Sequence, residues 1–135
     1  MRRIQPLRSF EQFRDIVATY RLPRILLTAL DLDLFTIIGT RSWTIPALAR
    51  RLRASVRGVD ILCRNLASAG VLVKTGKRYR NGKVAAAALN AHSPDYRGGY
   101  LELIRDQWND HEKQCTEDFQ RGLPTETVDQ VDAQR

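Results

Sequence analysis

The sequence predicts a mainly α-helical domain organised around two short helices and a β-hairpin between Thr44 and Gly82. Three observations carry this prediction. Apolar residues recur at helical spacing in two successive segments, and each segment begins at a side chain that caps helices. A short glycine-containing loop then separates two strand-like runs. Longer segments with apolar stripes flank this central stretch on both sides.

The first of the two central helices begins at Thr44, a preferred N-cap residue, and has Pro46 in its first turn, where a missing N–H costs nothing. Leu48, Ala49 and Leu52 give this helix one apolar face, and arginines occupy the remainder of its surface.

The second central helix is capped by Ser55 and ends before Gly70, a residue suited to a left-handed helix stop. Its predicted buried stripe consists of Val56, Val59, Leu62, Cys63 and Leu66. Residues 71–73 and 78–80 then flank Thr75-Gly76-Lys77, which is typical of a hairpin. This order predicts a winged helix-turn-helix core with one β-hairpin wing.

Helices are predicted on both sides of this core. Ser9 and Gln12 form a capping box for an N-terminal helix, which the Leu22-Pro23 step ends. A second helix from Pro23 is apolar almost all round, so we expect a partner subunit to cover it. Residues 39–43 are predicted as a loop and residues 84–89 as a helical segment.

The longest helix is predicted to begin at Ser93-Pro94-Asp95 and to end at Arg121-Gly122. It carries an apolar stripe opposite an acidic face. Residues 1–124 are therefore expected to form one domain, with residues 125–135 as a polar tail or linker.

Charge is distributed unevenly along the chain. The 135 residues carry a net charge of +7, but residues 1–83 hold 17 Lys and Arg against 5 Asp and Glu, a net charge of +12. Residues 84–135 hold 5 against 10, a net charge of −5. A basic half that contains a helix-turn-helix favours nucleic acid as a partner. Neutralisation by the acidic helix, within the chain or across a dimer, is the alternative explanation.

Membrane and secretory classes are not indicated by the sequence. The most apolar stretch, 22–38, is broken by Arg24, Asp31 and Asp33, and the basic N-terminus is not followed by an apolar signal core. We therefore expect no membrane span and a cytoplasmic location. Cys63 and Cys115 are interpreted as two buried thiols in a reducing compartment.

The sequence contains little that indicates a catalytic or metal-binding site. A closed zinc site would need both cysteines together with both histidines, His92 and His111, so core packing is the preferred interpretation and no metal is predicted. The acidic row Glu102, Asp106 and Asp110 is interpreted as a solvated helix face. No catalytic residue and no cofactor are predicted.

Five phrases of the sequence resemble a known family when taken together. They are ALDLDLFTII, TIPALARRL, ILCRNLASAGVLVKTGKRYR, SPDYRGGYLELIRDQW and FQRGLP, spread over residues 9–124. In order and spacing the chain resembles the N-terminal dimerisation domain of S-adenosylmethionine-dependent O-methyltransferases of the acetylserotonin and hydroxyindole group. The resemblance implies a winged-helix-like module with extra helices that interlocks with its twin and helps to close the substrate pocket of a catalytic domain.

The chain departs from this family at Asp33, where glycine is usual, and at Ala47, where an acid is common. A Rossmann-type methyl-donor site needs a glycine-rich turn, and no three of the eight glycines have its spacing. The chain is therefore expected to be non-catalytic on its own, whether as a fragment, a truncated form or a stand-alone relative. Its catalytic domain, separate or missing, remains a candidate partner.

Two functions of different class follow. The first is homodimerisation, through an interface predicted to contain Phe10, Phe13, Leu26, Leu27, Leu30, Tyr100, Ile104 and Trp108. The alternative is a small dimeric winged-helix transcription regulator, which would contact DNA through Arg57, Arg64, Lys74, Lys77 and Arg78. Gly58 and Asp60, near the start of the second central helix, are poor residues for reading DNA. A ligand pocket lined by Phe13, Tyr100 and Trp108 is a third possibility.

Overall fold

A computed structural model of the chain describes residues 6–122, with the side chains of all of these except residues 108–116 and 118. The chain divides into two compact units, Met1–Gly98 and Gly99–Arg135, and each is described by itself. The tail predicted at 125–135 lies outside the described residues. The elements in chain order are α1 (Phe10–Ala18), α2 (Arg21–Asp31), α3 (Leu34–Ile38), β1 (Trp43–Thr44), α4 (Ile45–Leu52), α5 (Val56–Ser68), β2 (Leu72–Thr75), β3 (Arg78–Asn81), a π-helical turn (Ala85–Leu89) and α6 (Gly98–Arg121).

The two central helices begin where their capping residues predict. The Thr44 hydroxyl accepts the backbone N–H three residues on at 3.4 Å, and the Ser55 hydroxyl accepts the equivalent N–H at 2.9 Å. Each bond satisfies one of the backbone donors left free at a helix start. After α5 the chain turns at Gly70, whose φ of +77° is the predicted left-handed stop.

The hairpin joins a three-stranded antiparallel sheet in the order β1-β3-β2. Thr75 pairs with Arg78, so the turn consists of Gly76, with φ +59°, and Lys77. The predicted loop at 39–43 is wrong at its end, because Trp43 pairs with Tyr79 and so lies in β1. A two-residue strand is too short to show a sequence periodicity.

The core of the first unit lies where α2, α3, α4 and α5 meet the sheet. Its fully buried side chains are Leu34, Phe35, Ile38, Leu48, Val59, Cys63, Leu66, Leu72 and Tyr79. Among the described residues one polar side chain, Asn81, is buried with them. Its amide nitrogen donates to the carbonyl oxygens of Phe35 at 2.9 Å and Gly39 at 3.0 Å. This anchors the end of β3 to the C-terminus of α3.

The helix α2 is amphipathic, so the prediction of a helix apolar on all sides is wrong. Leu27, Ala29 and Leu30 are buried. A polar stripe that includes Arg21 and Arg24 is exposed on the other side. The helix therefore buries one face in the core, while Leu22, Ile25 and Leu26 stay half-buried.

The segment between the sheet and α6 is more irregular than predicted. The helical stretch at 84–89 is confirmed, but Ala85–Leu89 is a π-helical turn. The predicted helix start at Ser93 is wrong, because α6 begins at Gly98. The Ser93 side chain accepts the Asp95 N–H at 3.2 Å and caps a separate turn. The Arg97 N–H donates to the Ala88 carbonyl at 2.7 Å instead of entering a helix.

Candidate association surface

The helix α1 carries a continuous apolar face that the rest of the first unit leaves uncovered. None of its nine residues is buried. Phe10 is 73% exposed and its ring centroid lies 5.9 Å from that of Phe13. Leu7, Ile16, Val17 and Tyr20, also exposed, extend the same apolar surface. We call these six residues the α1 face.

Local sequence explains why this helix forms and where it begins. The Ser9 hydroxyl accepts the Gln12 N–H at 3.1 Å, as the capping box predicts. The returning bond differs by one residue, because the side-chain Oε1 of Gln12 accepts the N–H of Arg8, and not that of Ser9, at 2.7 Å. The positions 10, 13, 17 and 20 recur every three or four residues, so they share one side of the helix.

The junction of α1 and α2 is rich in guanidinium groups. An open groove of about 610 Å³ is lined by Arg14, Asp15, Val17, Ala18, Tyr20, Arg21 and Arg24. The Arg24 guanidinium lies 5.6 Å from the Tyr20 ring centroid and donates to the Tyr20 hydroxyl at 3.4 Å. An apolar patch with a polar border has the anatomy of a protein–protein interface.

The residues predicted for the dimer interface differ in accessibility. Phe10, Phe13 and Tyr100 are exposed. Leu26 and Ile104 are half-buried, whereas Leu27 and Leu30 are buried in the core of one protomer. The Trp108 side chain lies outside the described ones. Because the predicted ligand pocket also needs Trp108 and spans the two units, that pocket stays a prediction.

The predicted interface list leaves out the second half of the α1 face. Val17 and Tyr20 are as exposed as Phe13, and the helical period of the sequence places them on the same side. A helical period does not show which side of α2 the core of the first unit buries, and Leu27 and Leu30 lie on that buried side.

The basic residues predicted for DNA contact are all exposed, and Arg80 joins them. We call Lys77, Arg78 and Arg80 of the hairpin the basic face. Lys74 lies on the other face of the hairpin, because it pairs directly with Tyr79. Arg64 pairs with Asp60 at 3.0 Å, and the Lys74 ammonium lies 5.7 Å from the Tyr79 ring centroid.

The described side chains show no arrangement suited to metal binding. No three His, Cys, Asp or Glu side chains come together among them, and His111 and Cys115 lie outside that set. Cys63 is buried in the core, and burial, reinforced by the negative charge of Asp60, raises the pKa of its thiol to about 12. A thiol that stays protonated at neutral pH is a poor nucleophile and a poor ligand.

No helix within the described part of the chain is long and apolar enough to cross a membrane.

A capped helix with an exposed apolar face and a polar border is typical of a protein association domain. The family comparison gives the particular class. Residues 15–91, more than half of the chain, match the family model of the O-methyltransferase dimerisation domain. The chain therefore belongs to the O-methyltransferase dimerisation domain family, in agreement with the resemblance in the sequence.

The relatives of the chain are O-methyltransferases. It is 31% identical over 107 residues to 3-hydroxy-5-methyl-1-naphthoate 3-O-methyltransferase of Streptomyces sahachiroi, a match covering 79% of this chain and 31% of that protein. It is 33% identical over 81 residues to the tetracenomycin polyketide synthesis 8-O-methyltransferase of Streptomyces glaucescens, covering 59% and 24%. An O-methyltransferase family protein from Burkholderia thailandensis has a similar structure, with a TM-score of 0.72, 28% identity and coverage of 80% and 32%. The chain thus spans about a third or less of the length of these relatives.

Proposed function

We propose that this chain is a homodimerisation domain of an O-methyltransferase-like protein and that the α1 face is the centre of its interface. The observation that supports this proposal is the exposure of Phe10, Phe13, Val17 and Tyr20 on one side of a helix with no buried residue. Fully burying a side chain of this size contributes about 1.5–3 kcal/mol. In a twofold symmetric interface each residue contributes twice.

We propose in addition that residues 43–81 form a winged helix that serves as scaffold. The order β1, α4, α5, β2, β3 and the sheet order β1-β3-β2 support this assignment. The Val71 N–H donates to the Leu66 carbonyl at 2.9 Å, which ties the hairpin to the end of α5. Asn81, which pairs with Leu72 at the same open end of the hairpin, is bonded to α3. A hairpin anchored at its base to both α5 and α3 can hold α2 in place while α1 reaches a partner.

The domain is proposed to contribute assembly and not chemistry. The glycine spacing of the sequence supports this, since it lacks the turn that a Rossmann-type site uses for the methyl donor. Titration calorimetry of the chain with S-adenosylmethionine tests it, and no binding is expected up to about 1 mM. Micromolar binding would show that these residues hold the donor themselves.

Sedimentation velocity tests the dimer directly. The wild-type chain is expected to be dimeric at about 10 μM, and the variant Phe10→Asp/Phe13→Asp to be monomeric at the same concentration. Loss of two aromatic anchors from each protomer is expected to raise the dissociation constant at least 100-fold, because each factor of ten needs only about 1.4 kcal/mol.

Val84→Asp is the matched control. Val84 is 74% exposed, as Phe10 is, but it lies outside the α1 face. This variant is expected to remain dimeric. A monomeric wild-type chain, or an equal loss of dimer in both variants, would refute the role of the α1 face.

A further inference from the structure

Residues 43–83, here called the central module, carry an excess of positive charge that dimerisation through α1 does not use. Residues 43–83 contain ten Lys and Arg but a single acid, Asp60, and all ten basic side chains are exposed. Asp60 is engaged by Arg64 at 3.0 Å. Ten like charges on about forty residues repel one another, and a polyanion bound to the module would relieve that repulsion.

The strand pattern directs two of these cations to the same side of the sheet. Arg78 and Arg80 are exposed and alternate along β3 with Tyr79 and Asn81, which are buried. Alternate residues of a strand share a face and lie about 7 Å apart. Lys77, in the two-residue turn beside them, completes a basic hairpin tip. Such a row of cations is suited to a regular array of phosphates.

The helix α5 of the same module carries two further exposed cations, Arg57 and Arg64. The helix α5 packs against β2, and the Leu66–Val71 hydrogen bond joins the two elements. Arg57 is exposed in the first turn of α5, the part of a helix-turn-helix that approaches a duplex. The neighbouring residues Gly58 and Asp60 offer no donors for base edges. The exposed cations can contact phosphates, and Arg57 is the one side chain in the first turn of α5 that could donate to a base edge.

We infer that the basic face binds the phosphate backbone of duplex nucleic acid without sequence specificity. The chain would then carry two separate surfaces, an apolar one for its twin and a cationic one for a polyanion. Phosphate contacts alone give dissociation constants of about 10⁻⁴–10⁻⁶ M at physiological salt. The inference does not rest on the proposed dimer, because the basic face and the α1 face share no residue.

Fluorescence anisotropy of the full chain with a labelled 20-base-pair DNA duplex, at 50, 100 and 200 mM NaCl, tests the inference. The logarithm of the affinity is expected to fall linearly with the logarithm of salt, with a slope of about −3 to −5 for four or five phosphate contacts. Two duplexes of unrelated sequence should bind within about threefold of each other. A tenfold preference for one would overturn the inference in favour of base recognition.

The variant Lys77→Ala/Arg80→Ala locates the site. Arg78 is kept, because its guanidinium donates to the Ser42 carbonyl at 3.3 Å and its loss would disturb the fold. The double variant should weaken binding about tenfold or more at 100 mM salt and reduce the slope by about 2. The charge-matched control Arg50→Ala/Arg51→Ala removes two charges from exposed positions of α4, outside both the basic face and the α1 face, and should bind as the wild type does.

Two further outcomes would overturn the inference. Equal weakening in both double variants would mean that net charge, and not this face, attracts the duplex. A salt-sensitive dimer that Lys77→Ala/Arg80→Ala dissociates in sedimentation velocity, with duplex binding unchanged, would mean that a second copy of the chain occupies the face. Because anisotropy reports nucleic acid and sedimentation reports the dimer, failure of this inference is distinguishable from failure of the proposed function.

Discussion

Asn81 offers the sharpest test of how this fold is held together. Its side chain is 7% exposed, and its amide nitrogen donates to the carbonyls of Phe35 and Gly39. Both partners are acceptors, so the orientation of the amide is fixed by the structure. The Oδ1 atom is buried and accepts no hydrogen bond from the described residues. The residue therefore contributes two bonds and leaves one acceptor unsatisfied.

Replacement by leucine removes both bonds and also the unsatisfied acceptor. Two hydrogen bonds contribute about 2 kcal/mol net, and removal of the buried acceptor returns about 1 kcal/mol. The Phe35 carbonyl keeps the Gly39 N–H at 3.0 Å, so the Gly39 carbonyl is the group left without its bond. We expect Asn81→Leu to lower the free energy of unfolding by about 1–2 kcal/mol.

Replacement by aspartate keeps the shape but directs a carboxylate at two carbonyl oxygens. Burial and these dipoles disfavour the charged form, so the pKa of the introduced carboxyl should rise well above its unfolded value of about 3.9. When protonated it donates one hydrogen bond, and we expect a loss close to that of Asn81→Leu. When ionised it donates none, and we expect a loss of more than about 3 kcal/mol.

The sign of the pH dependence follows from proton linkage. The folded variant binds more protons than its unfolded chain between the two pKa values, so its stability falls as pH rises through that window. Urea unfolding followed by far-UV circular dichroism at pH 4.5, 6.0 and 7.5, at one fixed protein concentration, measures the difference from wild type. A deficit for Asn81→Asp that is constant with pH, or a neutral Asn81→Leu, would refute the assigned hydrogen bonds.

Three further outcomes are expected from the backbone and the core. Asp33→Gly should raise the melting temperature by about 2–4 °C, because Asp33 has φ +56°, which glycine adopts more easily. A melting temperature below that of the wild type would reveal a stabilising role of the carboxylate. Gly82→Ala should lower stability by about 1–3 kcal/mol, since the new Cβ would lie 2.7 Å from the Val71 carbonyl oxygen. The control Gly99→Ala, where the space is open, should stabilise α6, and equal effects would contradict the steric account. The stability that the protonated Cys63 thiol contributes should be lost as pH rises above 9, because its folded pKa of about 12 exceeds the usual 9.0. In urea unfolding, Cys63→Ala should therefore lose less stability at alkaline pH than the wild type does.

Features set by a few neighbouring residues were predicted well from the sequence. Ser9, Thr44 and Ser55 each accept the N–H three residues on, and those helices begin there. The stops at Gly70 and Gly122 are confirmed, with φ of +77° and +69°. Such contacts span three or four residues, so the local sequence contains both partners.

Features that join distant parts of the chain were not predicted. Asn81 bonds a carbonyl 46 residues away, and nothing around it distinguishes a buried amide from one in a turn. The strand β1 exists only because β3 offers it a partner. The helix α6 begins at Gly98 and not at the predicted Ser93, because the Arg97 N–H donates to the Ala88 carbonyl. Tertiary partners decide these cases, and one sequence does not identify them.

Surface features also divide into those that the local sequence predicts and those that depend on tertiary packing. Helical period predicts the α1 face, because four positions on a nine-residue helix and its C-terminal flank fall on one side. The basic face follows from composition, since cations on a module this small have no room inside it. The burial of Leu27 and Leu30 depends on how α2 packs against the rest of the first unit, and the periodicity of the sequence does not show that packing.

The length of α1 connects its folding to association. Isolated helices shorter than about 12–15 residues are marginal in water, and α1 has nine residues, none of them buried. The Ser9 cap contributes only about 1 kcal/mol, which does not offset the cost of nucleating a helix. The remaining stabilisation has to come from burial of the α1 face against another surface. In the proposed dimer, formation of α1 and assembly are one coupled event, and a charge at Phe10 or Phe13 should weaken both together.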